Sequence, residues 1–93
     1  TFIQDMPVKL DALQEAFRQQ DAETLRLQAH GMKSSGYLLG LSGFAGLCQE
    51  LESTTAVGEL DAAGELIMGI EAEYGRLEEK MLIFLKDAKQ GLT

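Results

Sequence analysis

From Leu60 to Ala88 an apolar residue returns at steps of three and four without interruption: Leu60, Ala63, Ile67, Ile70, Tyr74, Leu77, Met81, Phe84 and Ala88. This spacing draws one stripe along a helix of about 3.6 residues per turn, and the stripe must be covered by something. Gly64, Gly69 and Gly75 weaken the segment as an isolated helix, so its stability has to come from packing. The pattern suits a bundle helix with left-handed packing or a coiled-coil seam. Its opposite face carries Glu65, Glu71, Glu73, Glu78 and Glu79, most simply a solvated surface.

Three shorter segments supply the partners. Phe2, Met6, Leu10, Leu13 and Phe17 form a stripe over about 2–19. Pro7 is tolerated there if the helix starts near Asp5 and should kink it if the helix starts at Thr1. Gln19-Gln20-Asp21 is a break, and Asp21 is the N-cap expected for a helix over about 22–39. Gly40 is placed to end that helix in the left-handed conformation. Its apolar face reads Leu25, Ala29, Met32, Gly36 and Leu39. Ser42 is expected to cap a third helix over about 43–53, with Phe44, Leu47, Cys48 and Leu51 inward and Gln49, Glu50 and Glu52 outward. Ser53 to Gly58 reads as a loop, and the fourth helix then runs over about 59–89. The fold class expected is all-α, an antiparallel up-and-down four-helix bundle, in one domain spanning 1–93.

Composition narrows what such a bundle can do. The net charge of -7 argues against a nucleic-acid partner. The acid is uneven, however: Thr24 to Gln49 contains no Asp or Glu but does contain Arg26 and Lys33. That window carries +2, and the remaining six basic and fifteen acidic residues give -9. A locally non-acidic face suits a docking anionic group, although a buried segment would also carry few charges. No apolar run reaches the length of a membrane span, and no basic-then-apolar leader opens the chain. The lone Cys48 has no disulfide partner and reads as a small core residue; no Cys/His cluster has metal-ligand spacing.

The chain's only histidine lies in the acid-free window, in Ala29-His30-Gly31-Met32-Lys33-Ser34-Ser35-Gly36-Tyr37-Leu38-Leu39-Gly40. On a helix, His30, Lys33, Ser34 and Tyr37 share one face, off the apolar stripe. An imidazole titrates near about 6.5 and is largely a neutral nucleophile at cellular pH. Lys33, one turn on, offers an ammonium that neutralises phosphate oxygens. Gly31 beside the histidine clears space for a partner, or is merely tolerated. Such a pair can accept a phosphoryl group and pass it on. Nucleotide-binding loops, an acidic magnesium cluster and a hydrolytic triad are all missing, so the group would have to come from a protein with its own metal.

This stretch resembles the signature of histidine-containing phosphotransfer (HPt) domains, Ala-His-x-Leu-Lys-Gly/Ser-Ser followed by an apolar-Gly pair. Leu47-Cys48-Gln49-Glu50-Leu51-Glu52 is similar to that family's Leu-x-x-Leu-Glu run, and Asp21-Ala22-Glu23 and the helix before Pro7 extend the likeness over nearly the whole chain. Met32 replaces the usual leucine, Ser34 the commoner glycine, and Tyr37 and Leu38 replace small or polar residues. The resemblance implies a phosphorelay intermediate in two-component signalling, not an enzyme with its own ATP site. His30 would be phosphorylated by a receiver-domain phospho-aspartate and would pass the group to another receiver. Lys33 would neutralise the phosphate and Ser34 contact it. Arg26, Gly31, Ser34 and Tyr37 would meet the partner. No metal or cofactor is expected on this chain, Mg2+ belonging to the receiver.

The resemblance further implies a monomer in the cytoplasm, free-standing or excised from a larger hybrid sensor kinase. Two other readings remain open at this point. One is a docking bundle in which His30 is incidental; the other is a dimerising kinase domain built on a helical hairpin.

Overall fold

The computed structural model describes residues 2–91, with side chains from 5 to 87. Four helices follow one another: α1 (Phe2–Arg18), α2 (Ala22–Leu38), α3 (Ser42–Ala56) and α4 (Ala63–Gly91). All regular structure among the described residues is helical. Each helix packs on its neighbours in chain order, α4 also touches α1, and the α2–α3 contact is the most extensive.

The α1–α2 break forms as the sequence suggests. The Asp21 carboxylate accepts the Thr24 amide at 3.1 Å and the Thr24 hydroxyl at 2.6 Å, satisfying an amide the first turn leaves free. Those two bonds, the hydroxyl first, hold the Asp21 carboxyl below its ordinary range. At the other end of α2, Gly40 adopts φ 74°, and the amide of Leu41 reaches back to the Gly36 carbonyl at 2.8 Å. A backbone bent this way strains any residue with a Cβ, which is why glycine stands there. Pro7 lies inside α1, which starts at Phe2 and not near Asp5.

Three boundaries differ from the sequence reading. Ser42 is inside α3; the cap position is Leu41, whose side chain makes no capping bond. The expected loop from Ser53 is largely helix, continuing to Ala56. Thr54 and Thr55 lie within this extra turn, their hydroxyls satisfied by the carbonyls of Glu50 and Leu51, both at 2.8 Å, and Thr55 is held there by burial in the core. The break falls instead at Val57–Ala62, with Gly58 at φ 78°, so α4 begins at Ala63.

The core collects residues from all four helices. Met6, Leu13, Leu25, Met32, Phe44, Cys48, Leu51 and Ile70 are fully buried, each large side chain contributing about 2 kcal/mol by leaving water. Ala16 joins them in α1, a core position that the stripe of larger residues leaves out. Leu39 does not join: it is 55% exposed because α2 has already ended, and the turn carries it outward. Nor do Met81 and Phe84, since the bundle stops covering α4 after the partly buried Leu77. The Phe2 and Ala88 side chains lie outside the described residues.

α2 and α3 approach each other closely at Gly36. A Cβ added at Gly36 would sit 3.1 Å from the Ala45 Cβ and 3.1 Å from a Phe44 ring carbon. Only a residue without a side chain lets the two backbones come this close.

Candidate functional site

The close α2–α3 packing sets one polar cluster on the bundle surface. His30 projects from α2 with its side chain 61% exposed, as its position off the apolar stripe requires. Its Nδ1 lies 2.6 Å from Oε2 of Glu52 on α3. An ionised carboxylate only accepts, so Nδ1 carries the proton and donates it. The other ring nitrogen, Nε2, then keeps a bare lone pair.

Glu52 is shared. Its second oxygen, Oε1, accepts from Lys33 Nζ at 2.8 Å, and the same ammonium donates to Gln49 Oε1 at 3.1 Å. Gln49 in turn donates to Ser53 Oγ at 3.0 Å, so the α3 side of the cluster is itself fixed. The side chains of Lys33 and Glu52 are only 16% and 18% exposed, which makes their pairing firmer than a surface ion pair. The Lys33 hydrogen bond holds the Glu52 carboxyl below the usual carboxylate range, against the upward pull of partial burial, and His30 adds to the effect. Glu52 is therefore a carboxylate at neutral pH.

The remaining sequence candidates fall around this cluster. Ser34 is exposed, and its hydroxyl donates to the His30 carbonyl at 3.2 Å, the bond of a serine folded back on its own helix. Gly31 is exposed, and a Cβ there would meet nothing within 4 Å. Arg26 is half-buried one turn before His30, and Tyr37 is 58% exposed two turns after it. Arg26, Ser34 and Tyr37 share the His30 face of α2, whereas Gly31 lies about 100° round the helix from it.

Two residues of the cluster, Glu52 and Gln49, were read in the sequence as facing solvent. They do lie off the α3 core stripe, but beside it, at the edge where a side chain reaches across to α2. This also corrects the picture of an acid-free surface. The Lys33 charge is balanced by a carboxylate arriving from outside the window. Cys48 takes no part: it is buried, and loss of solvent pushes its thiol up to about 12, so it stays protonated.

Among the described residues no group of three or more His, Cys, Asp or Glu side chains is placed to hold a metal ion. Nor is any described helix long and apolar enough to cross a membrane. The geometry thus offers one accessible imidazole nitrogen, a carboxylate to balance positive charge on the ring, and an ammonium alongside. Neither the curated proteins nor the solved structures contain a match to the chain. A family model described as Hpt domain matches residues 1–80, and the chain belongs to that family of histidine phosphotransfer domains of two-component phosphorelays.

Proposed function

We propose that His30 is the relay residue, taking a phosphoryl group from a receiver domain's phospho-aspartate and giving it to the aspartate of another receiver. The observation that carries this reading is the Nδ1–Glu52 hydrogen bond on the chain's only histidine. It orients the ring and leaves Nε2 as the nucleophile. In the forward step the Nε2 lone pair forms a bond to phosphorus, and the acyl phosphate P–O bond breaks with its electron pair going to the aspartate carboxylate. The ring gains positive charge, which Glu52 balances through the proton it holds on Nδ1. The reverse step returns the group to a second aspartate by the same path.

Lys33 neutralises phosphoryl oxygens in this scheme, turning part of its hydrogen bonding from Glu52 and Gln49 toward the incoming group. Arg26, Gly31, Ser34 and Tyr37 form the ground on which the receiver settles, and Mg2+ arrives with the receiver. Such receivers place the reaction in the cytoplasm. The reaction needs a single copy of the chain. An antiparallel up-and-down bundle is part of the same reading. The contacts between neighbouring helices support it: Gly36 meets Ala45 and His30 meets Glu52, so partners climb α3 as they descend α2. Likewise Phe17 meets Gly64 and Gln14 meets Glu71, while Leu47 meets Gly69.

The test is transfer from a phosphorylated receiver to the purified chain. Wild type is expected to acquire acid-labile, base-stable label. His30→Gln should acquire none, while its helicity and melting stay unchanged. Lys33→Ala should transfer more slowly without unfolding. Label on the His30→Gln protein equal to wild type refutes the assignment and leaves a docking bundle.

A further inference from the structure

The second half of α4 is not accounted for by the bundle. Gly43, one residue into α3, lies against Glu73, a Cβ there meeting its carboxylate at 3.9 Å, so α3 has barely begun at that level. Yet α4 runs on to Gly91, and the molecule measures 53 Å along its longest axis against 22 and 19 Å across. The family match ends at residue 80, so the projecting part lies beyond the shared domain. Projecting helices are ordinarily polar. This one carries Met81, Leu82, Ile83, Phe84 and Leu85 in succession, from 45% exposed at Met81 to 67% at Phe84.

These residues keep the register of the core. With Ile67, Tyr74 and Met81 as heptad a positions, Ile70, Leu77 and Phe84 are d positions, so the buried seam continues into solvent. The flanking charges choose among ways of covering it. Two copies of the extension side by side in parallel would set Lys80 of one against Leu85 of the other at the g and e' positions, which makes no ion pair. Antiparallel, with Met81 packed on the partner copy's Phe84, the g positions face each other. Lys80 then lies opposite the partner copy's Asp87, and by symmetry the pair occurs twice. Each bundle also points away from the other, so nothing but the projecting helices and the bundle ends need meet.

We infer that the chain pairs with a second copy of itself through an antiparallel contact of the α4 extensions, centred on Met81 and Phe84 and framed by Lys80 and Asp87. In this arrangement the partner helix ends at the level of the α2–α3 turn, where Leu38 and Leu39 are exposed. Covering these side chains and the α4 seam on both copies removes on the order of 1,000 Å2 from water, the lower end of what a specific interface needs. The pairing is therefore of moderate strength. His30 stays clear of it, because His30 is level with Glu52 near the end of α3, whereas the extension lies past that helix's start.

Sedimentation equilibrium of the full chain tests this. A monomer–dimer equilibrium is expected in the micromolar range, with Phe84→Glu monomeric throughout and unchanged in helicity, since the site is exposed. Lys80→Asp and Asp87→Lys, each creating two like-charge contacts, should weaken the dimer roughly tenfold. The double variant, with the charges exchanged, should restore it. A chain that remains monomeric to about 1 mM overturns the inference. So does a dimer indifferent to Phe84→Glu, or an exchange of charges that restores nothing. Binding of the monomer to anionic vesicles through Phe84, with no self-association, would likewise overturn it and assign the seam to a lipid surface.

Discussion

The contribution of Glu52 to the chemistry at His30 is the sharpest quantitative consequence of the site. Replacing it by glutamine keeps the shape of the side chain and removes the charge. Two opposing effects follow. The carboxylate attracts the positive charge that the ring acquires during transfer, with charge centres about 4 Å apart. Such a pair is worth about 1 kcal/mol in bulk water and about 4 kcal/mol near a protein surface. With His30 61% exposed and Glu52 18% exposed, about 2 kcal/mol is reasonable after allowing for solvent screening. The carboxylate also repels the incoming phosphoryl charge, but across the ring, about 6 Å away and in solvent, which amounts to about 0.7 kcal/mol.

Attraction wins by about 1 kcal/mol, and Glu52→Gln should slow transfer about fivefold. The assay is single-turnover transfer from a phosphorylated receiver, read at receiver concentrations that saturate the chain. A second readout separates positioning from folding. Because His30 is the sole histidine, its ring nitrogens give an unambiguous 15N NMR signature. Wild type should show the proton on Nδ1, and Glu52→Ala should lose that preference. A Glu52→Gln protein that transfers at the wild-type rate or faster would refute the charge-balancing role. An unchanged tautomer in Glu52→Ala would refute the orienting role.

Three further outcomes follow from the same structure. Gly36→Ala should destabilise the chain by about 1 kcal/mol in urea unfolding, since crowding at 3.1 Å outweighs the helix propensity gained. Gly31→Ala meets open space and should instead raise the melting temperature by about 3–6 °C, while a bulky Gly31→Leu slows transfer by obstructing the receiver. Acid stability should also depend on Glu52. A carboxyl held below its unfolded value of 4.5 stabilises the fold above that pH, and the contribution is lost as pH falls through the folded value. Wild type should therefore lose more stability below about pH 4.5 than Glu52→Gln does, as measured by denaturant titration at several pH values.

The helices and the exposure of His30 are legible in the sequence because both depend on local pattern. Steps of three and four set the stripes, Asp21 and Gly40 mark the ends of α2, and His30 stands off its own stripe. What escaped the reading depends on where elements meet or stop meeting. Thr54 and Thr55 look like loop residues until their back-bonding hydroxyls are seen. Leu39, Met81 and Phe84 fit a helical stripe but are exposed because their neighbours have ended. Glu52 stands off the α3 stripe like its solvent-facing neighbour Glu50, and nothing local marks it as the residue that reaches across to α2. The signal was present nonetheless: a chain that folds back at Gly40 brings Leu51 and Glu52 opposite His30.

Among the described residues, the polar cluster is drawn from two consecutive helices joined by the short Leu39–Leu41 turn. Its contacts are thus short in sequence separation, of the kind that forms early because little chain entropy is lost in closing them. The hairpin can acquire its register before the chain beyond it has docked. Drift in the sequence of α1 or α4 reaches the cluster only through the stability of the fold, whereas drift within the hairpin touches both that stability and the cluster itself.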